Sequence, residues 1–328
     1  MVFSSLRDCR TLVTGGAGFI GSNLARRLLD LGAKVTLLDS LIPEYGGNLR
    51  NIADIADRVC LNISDVRDEH SMRYLVRDQD VLFNLAGQTS HMDSMRQPAT
   101  DLEINCRAQL SILEACRHVN PGIKIVFAST RQIYGKPDYL PVDEKHPLRP
   151  VDVNGINKLA GEGYHILYNN VYAIRACALR LTNTYGPRMR IKDARQTFVG
   201  LWILRLLEGQ TFEVWEGSQL RDFNYVDDCV EALLLAAVRE EVNGRVFNLG
   251  ARPPISLLEL AQLLVDVNGG GQFTIHAFPA DRKKIDIGDY YSDYSLYRNT
   301  VGWEPQVSLR DGLRRTLEYY RTRLADYV

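Results

Sequence analysis

The stretch Thr14-Gly15-Gly16-Ala17-Gly18-Phe19-Ile20-Gly21, close to the N-terminus, constrains the fold more than any other. A short apolar strand, Thr11-Leu12-Val13, leads into it, and an amphipathic run of helix length, Gly21 to Leu31, leaves it. A second strand follows, Lys34 to Asp39, ending in a carboxylate. Gly15 permits the tight turn, Gly18 lets backbone approach a pyrophosphate, and Gly21 lets helix sit close on strand. The helix start then turns free N–H groups and the positive end of its dipole toward phosphates. Asp39, roughly 20 residues on, is placed to accept hydrogen bonds from a ribose diol. A carboxylate there repels a 2′-phosphate, so the expected ligand is NAD rather than NADP.

The rest of the chain agrees with that start. Asp80–Ala86, Ile123–Ser129 and Ala173–Leu181 read as buried strands, with helices at Leu102–Val119 and Lys158–Asn170 between them. Strands alternating with helices predict an α/β fold with a doubly wound, mostly parallel Rossmann sheet. Pro137 to Pro150 carries four prolines and is expected to be a surface loop. After Gly186 the order changes: helices at Phe198–Leu207, Asp227–Val238 and Leu257–Val267 surround a short element around Phe212–Trp215, and a Tyr-rich segment, Tyr290–Tyr297, follows. The expected division is a dinucleotide domain over 1–185 and a smaller C-terminal α/β substrate domain over 186–328. A segment within 222–250 is expected to return to the sheet near Val246–Leu249.

Composition limits the partners. With 328 residues, a net charge of -1 and no large cluster of Lys and Arg, nothing supports binding to nucleic acid. No run approaches the roughly 20 apolar residues that span a bilayer, and the first residues lack a signal-peptide core. The six cysteines are scattered without metal-ligand spacing, so they read as thiols in a reducing compartment, with no metal site expected. A cytoplasmic location follows as an expectation.

The glycines run GxxGxxG, and with that spacing Thr14–Gly21 resembles the extended short-chain dehydrogenase/reductase family, whose members commonly modify nucleotide sugars. The resemblance extends almost end to end. It covers Asp65-Val66, Asn84-Leu85-Ala86-Gly87-Gln88, Asn105, Phe127–Gly135, Leu181–Arg188, Arg221–Asp228 and Gly302-Trp303-Glu304-Pro305. It implies a cofactor site made of Gly15, Gly18, Phe19, Ile20, Gly21, Asp39, Ser40, Asp65, Val66, Leu85, Ala86, Gly87, Gln88, Asn105 and Lys158.

The family reaction begins with oxidation of a sugar hydroxyl, and its base is normally the Tyr of a Tyr-x-x-x-Lys motif. Lys158 fits the lysine, and Thr130 fits the hydroxyl that orients the substrate oxygen. Four residues before Lys158, however, stands Asn154, a carboxamide that cannot titrate. General-base catalysis is worth ~10²–10⁴-fold. Three accounts follow: another group serves as base, with Tyr134, His91 and Lys158 as candidates; the reaction is slow; or the chain binds without turnover. His91 also reads as an ordinary loop or cofactor-side residue.

Family dehydratases resemble one another in carrying Asp-Glu after the Thr, and decarboxylases usually carry Glu at the second position. Here Arg131 and Gln132 stand there. Epimerisation at C4 needs neither carboxyl group, which leaves a UDP-glucose 4-epimerase-like activity as the leading expectation. A dehydratase, decarboxylase or reductase activity is the alternative. The resemblance assigns the substrate to Gln88, Thr130, Asn183, Arg221 and a basic residue of the 281–284 segment, Arg282 or Lys283. Arg is suited to bidentate phosphate contacts, although Arg221 has an alternative as an ion pair with Asp222 or Asp227. A homodimer is expected through the helices at 102–119 and 157–170.

Overall fold

The computed structural model describes residues 2–328, apart from the side chain of Asp281. Six strands and six helices build the first half. The strands are β1 (Arg10–Thr14), β2 (Lys34–Asp39), β3 (Cys60–Ile63), β4 (Val81–Asn84), β5 (Lys124–Thr130) and β6 (Ala176–Leu181). The helices are α1 (Phe19–Asp30), α2 (Glu69–Leu75), α3 (His91–Arg96), α4 (Pro98–Leu102), α5 (Ala108–Val119) and α6 (Val153–Tyr172). A seventh strand, Val246–Asn248, joins β6, and the sheet order is seventh–β6–β5–β4–β1–β2–β3, every neighbour parallel. The chain is therefore α/β with a doubly wound Rossmann sheet. The order reverses between β1 and β4, and ligands of such sheets bind at the carboxyl ends of the strands beside that switch.

The central strands are buried along nearly their whole length, as strands covered on both faces must be. One large apolar cluster covers one face of the sheet and continues into the C-terminal helices. A second lies under α2, α5 and α6. Among the described residues no helix is long and apolar enough to cross a membrane.

Several boundaries depart from the periodicity, each for a local reason. The helix expected at Lys158–Asn170 begins at Val153, because the Asp152 carboxylate caps it by accepting from Gly155 N at 2.6 Å. It ends where Ala173 adopts φ +56°, which closes the helix rather than opening a strand. The helix expected over 102–119 is continuous only with a π-helical turn at Glu103–Arg107, and such turns gather at functional sites. Strand β3, half-exposed at the sheet edge, carries too little apolar signal to be read from sequence.

Candidate active site

One cleft of about 1150 Å³ runs along the carboxyl ends of β1, β2, β4, β5 and β6. Its cofactor end is built from the glycine turn. Gly15 holds φ +70°, and a Cβ at Gly18 would lie 3.1 Å from Gly15 O. Asp39 closes the turn: Oδ2 accepts from Ala17 N at 3.0 Å and Oδ1 from Leu41 N at 2.9 Å. Burial pushes this carboxyl above its ordinary value despite the backbone donors from Leu41, Ala17 and Gly18. The carboxylate nevertheless keeps lone pairs for a ribose diol. Gly15, Gly18, Phe19, Ile20, Gly21, Asp39, Ser40, Asp65, Val66, Leu85, Ala86, Gly87, Gln88 and Lys158 all line the cleft.

The exception in that group is Asn105, which is fully buried behind the wall. Its Nδ2 donates to Gln88 O at 2.9 Å and to Asp101 Oδ2 at 3.0 Å. A Cβ on Gly87 would come within 2.8 Å of its Oδ1. The structure thus puts Asn105 under the Gly87-Gln88 backbone, which it braces, and not against the cleft itself.

At the middle of the cleft stand Thr130, Asn154 and Lys158. Thr130 ends β5, and its Oγ1 accepts from Gln132 N at 3.2 Å, which leaves its proton free to donate. Asn154 Nδ2 donates to Gln88 O at 2.8 Å and to Asp101 Oδ2 at 3.1 Å, so both N–H groups face the wall. Asn157 adds a third amide to Asp101, donating to Oδ1 at 2.8 Å. A fully buried carboxylate ringed by three Asn amides thus anchors the position where a phenol was expected. Sequence reasoning missed Asp101 and Asn157. The signal was helical spacing: Asp101 precedes Asn105 by four residues, and Asn154 precedes Asn157 by three.

Lys158 Nζ lies 4.4 Å above the Phe127 ring, an ammonium–π contact. Burial lowers its amine to about 8, against the pull of Asp101 and Glu162. Tyr134 is not brought to the cleft. It is fully buried, donates to Asn248 Oδ1 at 2.7 Å and accepts from Arg180 Nη1 at 2.6 Å. Burial raises its phenol far above the ordinary value. It belongs to a network in which Arg180 also pairs with Glu162 at 2.6 Å, both side chains buried. This corrects the expectation of Tyr134 as a catalytic residue.

The far end carries guanidinium groups. Arg131 Nη2 donates to Asn183 Oδ1 at 3.0 Å, while its Nη1 is buried without a protein partner. Arg221 pairs with Asp286 at 3.3 Å, not with Asp222 or Asp227. Burial, then the charge of Arg131, lowers the Arg221 guanidinium to about 10. Arg282 lines the cleft with its guanidinium 4.6 Å above the Trp215 ring, whereas Lys283 turns to Glu216 at 2.5 Å. That separation favours Arg282 over Lys283 for contact with a ligand.

One consequence for the cofactor can be measured. Asp39→Asn keeps hydrogen-bonding capacity but removes the charge that repels a 2′-phosphate. The ratio of NAD to NADP affinity is expected to fall by roughly tenfold or more, about 1.4 kcal/mol. Titration calorimetry with both dinucleotides checks it, and an unchanged ratio refutes the assignment of Asp39.

The model of the NAD dependent epimerase/dehydratase family matches residues 11–250. A putative UDP-glucose 4-epimerase of Methanocaldococcus jannaschii is 33% identical over 314 residues, 94% of this chain and 98% of that protein. The structure of a UDP-glucose 4-epimerase with UDP-glucose from Thermotoga maritima superposes with a TM-score of 0.86 at 31% identity, covering 96% of this chain and 99% of that one. DesIV, a dTDP-glucose 4,6-dehydratase of Streptomyces venezuelae solved with NAD bound, gives 0.88 at 27% identity, covering 96% and 98%. The glycine cradle, the Asp39 carboxylate and these likenesses converge: the chain belongs to the NAD dependent epimerase/dehydratase family, within the extended short-chain dehydrogenases/reductases, and NAD is its cofactor.

Proposed function

We propose that the chain epimerises a UDP-hexose at C4. The observation that carries this reading is the pair that follows Thr130. Arg131 reaches Asn183, and Gln132 Nε2 donates to Asp152 at 3.0 Å, so neither offers a carboxyl group to the cleft. Loss of water across C5 and C6 needs an acid and a base at the sugar, and a decarboxylase of this family carries Glu where Gln132 stands. Inversion at C4 requires neither. The likeness to relatives named as UDP-glucose 4-epimerases supports a UDP-hexose.

NAD, which the glycine turn and Asp39 would hold, would supply a reversible acceptor for hydride at the sugar carbon. The residues of the chain do the rest. Thr130, whose Oγ1 already accepts from Gln132 N, donates its proton to the substrate oxygen. Asn154, its amide protons committed, offers only Oδ1, an acceptor that orients a hydroxyl without titrating. Lys158 would hold the nicotinamide ribose and supply positive charge beside it. Asn183, Arg221 and Arg282 meet the diphosphate, with Gln88 beside the sugar.

The test is incubation of NAD-loaded protein with UDP-glucose, UDP-galactose, their N-acetyl forms and UDP-glucuronate. The expected result is conversion between C4 epimers without net consumption of NADH. A second reading, binding without turnover, rests on the commitment of Asn154 to Gln88 and Asp101. It is the conclusion if no product and no transient NADH absorbance appear on any sugar.

A homodimer through α5 and α6 is also proposed. Leu102, Ile156, Leu167, Val171 and Tyr172 are 45–61% exposed on or beside these helices, an apolar stripe that a partner would cover. Light scattering is expected to give twice the monomer mass at micromolar concentration. Leu167→Glu with Val171→Glu is expected to give the monomer.

A further inference from the structure

We infer that His91, oriented by Asp152, is the catalytic base that stands in for the missing phenol. The inference rests on the epimerase reading above and names the group that would move the proton in it.

Elimination and geometry both lead to this residue. Tyr134 is sealed behind the cleft with both hydrogen-bonding functions used. Asn154 has no titratable group. Lys158, with its amine at about 8, is mostly protonated at neutral pH and so holds no free lone pair there. Asp93, the lining carboxylate closest to His91 along the chain, is paired with Arg195 at 3.3 Å. The phenol of Tyr45 is pushed above its ordinary value by burial.

His91 lines the same cleft as Thr130 and Asn154, and its side chain is 39% exposed. Its Nδ1 is buried and lies 2.9 Å from Asp152 Oδ2, a charge contact whose angle falls outside hydrogen-bond geometry. The Asp152 carboxylate is itself fully buried and fixed by two hydrogen-bond donors, Gly155 N and Gln132 Nε2. Burial works against its charge, but His91 and those donors outweigh it and hold the carboxyl below its ordinary value. Asp152 and Gln132 also tie His91 to the reacting groups: Asp152 stands two residues before Asn154, and Gln132 two residues after Thr130. A carboxylate behind one ring nitrogen selects the tautomer with the proton on Nδ1 and leaves Nε2 as the ring's acceptor.

The step balances with NAD as the oxidant. The C4–H bond of the sugar breaks and its electron pair leaves as hydride for the dinucleotide. The hydroxyl O–H bond breaks and its proton bonds to Nε2 of His91, so the alcohol carbon becomes a ketone. Asp152 offsets the charge of the resulting imidazolium. In the return half, hydride adds to the other face of the carbonyl and His91 gives the proton back to the alkoxide oxygen.

The experiment uses the full chain with NAD. His91→Gln keeps size and polarity but not basicity. It is expected to lower kcat by ~10²–10⁴-fold, with NAD affinity, KM and Tm close to wild type. His91→Ala is expected to regain part of its rate with added imidazole, and Lys158→Met is not. A wild-type rate in His91→Gln, or a loss explained by NAD affinity or Tm, overturns the inference. A separate measurement stands apart from turnover: ¹⁵N spectra of histidine-labelled protein are expected to show His91 with its proton on Nδ1. The opposite tautomer overturns the dyad. If wild type turns over no sugar, the epimerase reading fails, and the tautomer still decides on the dyad.

Discussion

Gly21→Ala is expected to give a protein that binds NAD at least tenfold more weakly and melts well below wild type. A Cβ at this position would lie 2.2 Å from Gly15 O and 2.9 Å from Gly16 Cα. Both are backbone atoms, so no side chain can swing aside. The turn has little freedom to retreat, because Gly16 N donates to Leu38 O, Gly18 N to Gly15 O and Ser22 N to Gly18 O, each at 3.1 Å. The helix start would have to slide away from β1, and the phosphate-binding N–H groups would move with it. Forced overpacking typically costs ~1–3 kcal/mol, and a displacement of the cradle adds its loss of affinity to that. Gly163 is the control. It sits exposed in α6, and a Cβ there meets nothing within 4 Å. Gly163→Ala should therefore stabilise by about 0.5–1 kcal/mol. Calorimetric titration with NAD and thermal melting of both variants check the contrast. If Gly21→Ala binds NAD like wild type, the glycine turn is not the cradle.

The contrast between these glycines shows which parts of the molecule could be read from sequence. Gly21 announced itself because strand, turn and helix followed one another within a single local motif, and Asp39 lay at the end of the next strand. The seven-stranded sheet was legible for the same reason, since strands buried on both faces have to be apolar throughout. The chemistry site was legible only in part. Thr130 and Lys158 stand at fixed offsets within their own segments. The carboxylates that organise the centre show at most a helical spacing, Asp101 to Asn105, and not the partners they reach across the chain. Asp101 reaches Asn154 across 53 positions and Asp152 reaches His91 across 61, and neither separation leaves a trace in local spacing. Tyr134 was misread because a Tyr four residues after Thr130 looks the same in sequence whether it faces the cleft or the core. Only the partners Arg180 and Asn248, brought in by β6 and the seventh strand, decide between them.

Lys158→Met is expected to abolish turnover and, at neutral pH, to raise stability. The Lys158 side chain is largely buried in the wall, and burial takes its amine from 10.5 to about 8. Such a depression corresponds to roughly 3 kcal/mol of unfavourable charge burial at pH 7. The contact with the Phe127 ring returns ~0.5–2 kcal/mol of this. Methionine fills a similar volume without charge, and Asp101 keeps its three amide donors in the variant. A net gain of roughly 1–2 kcal/mol at pH 7 follows from that difference. Its pH dependence has a definite sign. Below about 8 the amine is protonated in both folded and unfolded chains, so wild type carries the full penalty. Between about 8 and 10.5 the unfolded chain binds the proton that the folded one has lost, and wild-type stability climbs with pH. The gap between variant and wild type should therefore close across that window, while titrations common to both proteins cancel in the comparison. Urea melts of the two proteins at pH 7 and pH 10 measure it. A gap of constant size would mean that the amine is not depressed. The stability cost would then not be the cost of holding a cation where the proposed hydride transfer needs one.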